Sequence, residues 1–235
     1  MFHARLRAAL LGCLLVSVSQ GALPAGPEGG AAMAPADSAQ GRVEKLPAPD
    51  RTGTRPLESL MQARLSVRQF APDTLDARQL GQLLWATCGI TQRLGFAHRT
   101  VPSAGALYPL ELYLLTARGV AHYDPFEHAL TWTQRKDHRA DLARATLGQK
   151  SVQEAPAVIV IAAEPQRTAR KYEERAERYV FMEAGFACQN LLLEATALGL
   201  GGVPIGAFYD EEVADVLGLP GERRPLLLVP VGRPR

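Results

Sequence analysis

Apolar residues recur at helical spacing in four stretches of the chain and crowd into near-continuous runs in three others. Leu57, Leu60 and Met61 predict a short helix in PLESLMQAR, which ends in the irregular LSVRQFAPD. Asp76 can cap a second helix whose stripe is Leu80, Leu83 and Leu84, and Gly89 stops it. LELYLLTA (110–117) reads as a strand, and GVAHYDPFEHALTW (119–132) as two short strands about an Asp-Pro turn. APAVIVIAA (155–163) is a continuous β-branched run, as in a strand buried on both faces. From about Glu174 to Leu198 the pattern turns helical, with Val180, Phe181, Ala184, Ala187, Leu191 and Ala195 among its apolar positions. It becomes apolar nearly all round, which predicts a central or interface helix. EEVADVLGL (211–219) predicts a last short helix and PLLLVPVG (225–232) a last strand. Helices and strands mix without strict βαβ alternation, so the expected class is α+β. No internal repeat is present.

The ends of the chain read differently. Residues 1–22 carry His3, Arg5 and Arg7, then an apolar run from Ala8 to Val18 that is too short to span a bilayer, then small residues where a peptidase can cut. This predicts a signal peptide and an exported protein, periplasmic or at the cell surface. LLGC (10–13) resembles a lipoprotein box, but Cys13 sits inside the apolar run rather than at its end, so a signal is preferred to a lipid anchor. Residues 23–55, rich in Ala, Gly and Pro, predict a disordered linker, and one folded domain is expected over 56–235. No other stretch suits a membrane span.

Composition narrows the picture little. The 235 residues are 47% apolar and 21% charged, ordinary for a globular chain able to bury a core. A net charge of +2 gives no argument for a nucleic-acid partner. Cys88 and Cys188 can pair in an oxidising compartment, yet both fall in apolar helical patterns, which favours buried free thiols. No CxxC pair and no histidine spacing suits a metal, and His122 and His128 read as solvated hairpin residues. LGLGGVPIG fails the dinucleotide fingerprint because Pro204 stands at the third glycine position, and LGQKS (147–151) lacks the upstream glycine of a P-loop.

Other stretches carry chemistry. In RLSVRQF (64–70), Arg64, Ser66 and Arg68 alternate, so an extended backbone points all three to one side, where they suit a phosphate. PSAGALYPLELY (102–113) and GGVPIGAFYD (201–210) let backbone approach a flat ligand closely. Arg233 and Arg235 follow the last strand as further anion candidates. RKYEERAERY (170–179) places Lys171 and Tyr172 before the apolar helix, in a chain with only four lysines against twenty-two arginines. An ammonium can lose its proton where a guanidinium cannot, so Lys171 is a candidate acid or base. The plain reading of the same residues is a solvated first helical turn.

In order and spacing these segments resemble the nitroreductase family of flavin enzymes over about Arg55 to Arg233. PSAGALYPLELY and KYEERAERY are similar to the azoline-dehydrogenase (SagB/ThcOx-type) branch, which oxidises thiazolines and oxazolines in peptides. The resemblance implies a nitroreductase-like fold, with a mixed, mostly antiparallel sheet flanked by helices and the long helix at a homodimer interface. It implies FMN, held by Arg64, Ser66, Arg68 and Arg233, by the Pro102–Ser103–Ala104–Gly105 turn, and by the Pro204–Ile205–Gly206–Ala207 loop facing flavin N5. It implies Lys171 and Tyr172 as catalytic residues acting on a small-molecule or peptide substrate. Where other members carry Asn-x-Gln-Pro, this chain has Ala106 and Tyr108-Pro109, so that flavin contact does not carry over. An NAD(P)H-dependent nitro or quinone reductase, and a flavin-binding protein without turnover, stand as alternatives.

Overall fold

A computed structural model describes residues 41–94 and 96–235. The expected signal peptide, Cys13 and linker residues 23–40 lie outside these. In chain order the elements are β1 (Val43–Lys45), α1 (Leu57–Ala63), α2 (Ala77–Cys88), β2 (Ile90–Leu94), β3 (Phe96–Arg99), β4 (Leu110–Thr116), β5 (Gly119–Asp124), β6 (Ala129–Gln134), α3 (Arg139–Ala145), α4 (Lys150–Glu154), β7 (Ala157–Ala163), α5 (Gln166–Tyr172), α6 (Ala176–Ala197), β8 (Gly201–Gly202), α7 (Asp210–Leu217) and β9 (Arg224–Gly232). Seven strands form one sheet in the order β1-β6-β5-β4-β7-β9-β8, every ladder antiparallel, and β2 pairs with β3 apart from it. This is the α+β, nitroreductase-like architecture expected, with helices on both faces.

β7 explains its own unbroken apolar run. Ala157, Ile159, Ile161 and Ala163 face one core with α2 and α6. Val158, Val160 and Ala162 face a second core with α3, α4 and α7. Successive side chains alternate across a strand, so covering both faces demands an apolar residue at every position. α2 begins as read: the Asp76 side chain accepts from the Gln79 N–H, the Gln79 side chain bonds back to the Asp76 N–H, and the helix ends at Gly89. Cys88 and Cys188 are buried free thiols on the α2–α6 side.

Three expectations need correction. Residues 41–55 are not linker. β1 adds an edge strand to β6, Leu46 is buried, and the Gln82 side chain bonds both the N–H and the carbonyl of Asp50. Backbone pairing and one buried leucine hold a segment whose composition suggested disorder. The two hairpin histidines are not freely solvated. His122 Nε2 lies 2.5 Å from Glu111 Oε2, and His128 bonds the Tyr123 hydroxyl and the Pro47 carbonyl, both at 2.9 Å. Lastly, Lys171 and Tyr172 do not open the long helix. They end α5, and Glu173 at φ 46° breaks the chain before α6. No glycine or proline marks this break, which a non-glycine residue makes at a cost of about 1–2 kcal/mol.

α6 keeps the apolar girth read from its sequence. Val180, Ala184, Ala187 and Leu191 are buried, while Phe181, Met182 and Phe186 remain half exposed at 52%, 51% and 50%. α1 lies beside α6 and adds exposed Leu57 and Met61.

Candidate functional site

The expected site residues fall into two clusters. The first forms where β4 begins. The turn Pro102–Tyr108 carries three residues in the left-handed region, Gly105 (φ 62°), Ala106 (φ 55°) and Tyr108 (φ 48°). The Ser103 hydroxyl accepts from the Tyr108 N–H at 2.9 Å and the Ala106 N–H bonds the Ser103 carbonyl at 3.0 Å, which closes the turn. Lys171 and Tyr172 stand against its tip. A β-carbon on Gly105 would lie 3.0 Å from Tyr172 Oη and 3.1 Å from Lys171 Nζ. The dihedral angle favours glycine there, and a side chain would crowd the ends of both functional residues. The Lys171 ammonium sits 5.5 Å from the Tyr172 ring centroid, and Tyr179 packs edge-on against Tyr172 at 5.0 Å. The structure thus unites Ser103, Ala104 and Gly105 with Lys171 and Tyr172.

A charged network braces this cluster from below. Arg167, one helical turn before Lys171 on α5, donates to the Tyr108 carbonyl at 3.2 Å and pairs with Glu111 at 2.5 Å and Glu164 at 2.8 Å. Burial raises the Glu111 pKa, but the His122 hydrogen bond and the charges of Arg167, His122 and Arg223 outweigh it and bring the carboxyl to about 2. Deeper still, Glu183 of α6 is 3% exposed. Burial pushes its carboxyl up to about 7, against the Ser103 hydrogen bond and the charge of Arg99. Arg99 in turn lies 4.7 Å from the Tyr108 ring centroid. Sequence reading missed Glu183, Arg99 and Arg167. The signal for Glu183 was an acid amid the apolar positions of α6.

The second cluster forms around Arg68. Ser66 bridges to Gly202, and the Val67 N–H bonds the Gly202 carbonyl at 3.1 Å. A β-carbon on Gly201 would strike Val67 Cγ2 at 2.4 Å, so the double glycine is what lets the Arg64–Arg68 segment lie down here. Phe70 bridges to Pro234, which brings the chain's last residues alongside. A groove of about 480 Å³ is lined by Arg68, Gln69, Gln149, Lys150, Ser151, Glu154 and Arg235. Arg233 points elsewhere and pairs with Asp73, so Arg235 rather than Arg233 faces the groove. Lys150 and Ser151 belong to LGQKS, which fails as a P-loop yet supplies a cation here. Lys150 is one of four lysines, the argument that singled out Lys171, and was overlooked. Pro204, Gly206 and Ala207 are exposed beside β9 and Ile205 is buried. Gln149 donates to the Ala207 carbonyl at 3.1 Å.

These residues fit FMN. Arg68, Lys150, Ser151 and Arg235 line the groove beside Glu154, and their cations and hydroxyl suit a phosphate. Above Gly206 a β-carbon would meet nothing nearer than Leu227 Cδ2 at 4.0 Å, which leaves room for a flat ring. A cavity of about 550 Å³, lined by Phe70, Leu80, Leu130 and Trp132, touches this cluster at Glu154 and Arg235 and includes neither Lys171 nor Tyr172.

One chain does not join the two clusters. Leu110, next to the turn, pairs with Ala163, which pairs with Arg224. At the other end Thr116 pairs with Ala157, Ala157 with Val231, and Val231 with Gly202, the partner of Ser66. The clusters therefore sit at opposite ends of a seven-residue strand, about 20 Å apart along it. Gly206 lies midway along the sheet but beyond β7 and β9.

Comparison with known proteins gives the family. The Nitroreductase family model matches residues 61–233. The chain is 43% identical over 183 residues to a nitroreductase-family protein of Methanocaldococcus jannaschii, covering 75% of this chain and 90% of that one. The crystal structure of a nitroreductase-family protein from Ralstonia eutropha is similar with a TM-score of 0.76 at 30% identity, covering 85% of this chain and 92% of that one. The E. coli microcin synthetase McbBCD complex, with truncated pro-MccB17 bound, contains a chain similar with a TM-score of 0.65 at 26% identity, covering 73% and 70%. The chain belongs to the nitroreductase family, whose members are typically FMN-dependent oxidoreductases.

Proposed function

We propose that this protein is an exported FMN-dependent dehydrogenase of the azoline-oxidising type, working as a homodimer in which each site takes one cluster from each copy. The observation that carries the reading is the approach of Lys171 and Tyr172 to the exposed Gly105 turn, two proton-bearing groups side by side at its tip. The likeness to a chain of a synthetase complex that holds a peptide supports a peptide azoline as substrate. When bound, FMN supplies a hydride acceptor at N5.

The chain's own residues do the rest. Arg68, Lys150 and Arg235 would hold its phosphate, and the Gly206–Ala207 edge would face its ring. Lys171 takes the proton from one ring carbon of the azoline as the hydride leaves its neighbour. Tyr172 orients the substrate ring. Lys171 is exposed in the single chain, and a second copy docked on α6 would cover it. The half-exposed Phe181, Met182 and Phe186 of α6 give that second copy an apolar face to meet.

The test is anaerobic mixing of the FMN-loaded protein with a thiazoline-containing peptide, or with NADPH. The reading expects the peptide to bleach the flavin and NADPH to leave it yellow. Bleaching by NADPH alone, with turnover on a nitroaromatic or quinone, assigns the reductase alternative. No bleaching by either assigns a flavin-binding protein without turnover.

A further inference from the structure

We propose that Arg167 is the positioning residue of this site: its guanidinium locks α5 to the Tyr108 carbonyl and to Glu111 of β4, and so holds Lys171 and Tyr172 against the Gly105 turn. The proposal rests on the reading of Lys171 and Tyr172 as the reacting pair, but the geometry of the lock does not.

α5 takes little of its place from packing. It is seven residues long, well below the roughly 12–15 that an isolated helix needs, so contacts with the rest of the chain must hold it. Among the described residues no side chain caps its start, and only Thr168 of the helix is buried, with its hydroxyl unpartnered. An amphipathic face usually anchors a helix, and one threonine supplies little of that. Past Tyr172 the chain turns away at Glu173, where φ is 46°. The anchor is therefore to be sought among polar groups.

Glu111 poses the matching question. β4 is buried at all seven positions, and Glu111 sets a carboxylate among them. Such a charge is costly unless it is paired and hydrogen-bonded. Each of its oxygens has a close partner: Oε2 lies 2.5 Å from His122 Nε2, and Oε1 lies 2.5 Å from Arg167 Nη2. The same Nη2 donates to Glu164 Oε2 at 2.8 Å, and Nη1 donates to the Tyr108 carbonyl at 3.2 Å. Glu164 is itself tied to the turn's exit, its N–H bonding the Pro109 carbonyl at 2.9 Å. One planar guanidinium thus spans β4, the turn and the approach to α5. A lysine there would offer a point charge without the fixed fork.

Position 167 is where such a lock reaches the pair. Arg167 and Lys171 stand four apart on α5 and so share a face. Tyr108, whose carbonyl Arg167 engages, lies three residues after Gly105, the residue that Lys171 Nζ and Tyr172 Oη approach. The helix that carries the pair is fastened to the turn that receives it. Arg223 belongs to the same network but is placed differently. It donates to the Tyr113 hydroxyl at 2.9 Å and lies 3.9 Å from Glu111 and 3.7 Å from Glu164. Its bond runs to β4 rather than to the turn, which makes it the control.

The experiment needs no substrate. Amide hydrogen exchange over residues 102–109 and 166–172 and amine labelling of Lys171, all read by mass spectrometry, are compared in the FMN-loaded full chain and its variants. Arg167→Ala should speed exchange over both segments at least tenfold and change Lys171 labelling severalfold, with β7 still protected. Arg223→Ala should leave both readouts near wild type. Unchanged exchange or labelling in Arg167→Ala overturns the proposal. Equal effects in Arg223→Ala overturn it too, because the network as a whole would then be responsible. If the alanine variant does not fold, Arg167→Lys carries the test: it keeps the charge without the fork, so the same changes are required, and a lysine variant indistinguishable from wild type overturns the proposal. Wild type that binds FMN but fails to oxidise a thiazoline peptide, alongside a loosened Arg167→Ala, would sink the proposed function alone.

Discussion

Gly105 and Tyr172 approach so closely that a single added methyl would sit 3.0 Å from the tyrosine oxygen. The same methyl would sit 3.1 Å from Lys171 Nζ, on a residue whose φ of 62° already disfavours any side chain. Gly105→Ala should therefore push both side chains aside. The expected loss of stability is about 1 kcal/mol. The variant should bind FMN as wild type does, yet oxidise a thiazoline peptide at least tenfold more slowly, as steady-state kinetics will show.

Lys171 is argued to be a base, not a fixed charge. Lys171→Ala and Lys171→Arg should both leave flavin bound and both slow peptide oxidation by about 10²–10⁴-fold, the usual range for losing a proton-transfer group. An arginine that restores turnover would reduce Lys171 to an electrostatic role.

The anion groove gives a second kind of expectation. Arg68→Ala with Arg235→Ala should yield a colourless protein. Each charge-assisted hydrogen bond lost costs about 1.5–3 kcal/mol, so a fluorescence titration should show FMN affinity at least a hundredfold weaker. Lys150→Ala should weaken it in the same direction, whereas Arg233→Ala, its guanidinium occupied by Asp73, should change it least.

If the site is shared between two copies, the half-exposed Phe186 on α6 lies in the contact. Phe186→Glu should then convert a dimer into a monomer by light scattering and lose flavin with it, although residue 186 belongs to neither cluster. A flavin-loaded monomer would contradict the split site.

Glu183 also sets a pH dependence. Its carboxyl is raised in the folded protein from the ordinary 4.5 to about 7. A raised acid binds more protons folded than unfolded, so its contribution is fully favourable below 4.5 and is lost as pH rises through 7. The loss amounts to about 3 kcal/mol at 1.36 kcal/mol per unit. Glu183→Gln cannot titrate. Urea midpoints at pH 5 and pH 8 should therefore show wild type losing stability relative to the variant.

Much of the fold was legible because its signals are local. The Asp76–Gln79 cap, the β-branched run of β7 and the Asp-Pro turn between β5 and β6 each carry their cause within a few residues. The break at Glu173 was not legible, because it is enforced from elsewhere: Gly105 receives Lys171 and Tyr172, and Tyr179 holds the tyrosine ring. β1 was hidden for the same reason, its order supplied by β6. Of the alternating Arg64, Ser66 and Arg68, the structure puts Arg68 in the groove, and its separation from Lys171 depends on strand registers that no motif reveals. Lys150 and Glu183 lacked motifs altogether; one was a rare lysine and the other an acid in an apolar face.

The most direct measurement is the visible absorption spectrum of the purified protein, with mass identification of what acid releases from it. The account requires a flavin spectrum, FMN in the supernatant and about one FMN per chain, two for each dimer. A colourless protein that also fails to take up added FMN would contradict it, and with it the assignment of Lys171 and Tyr172.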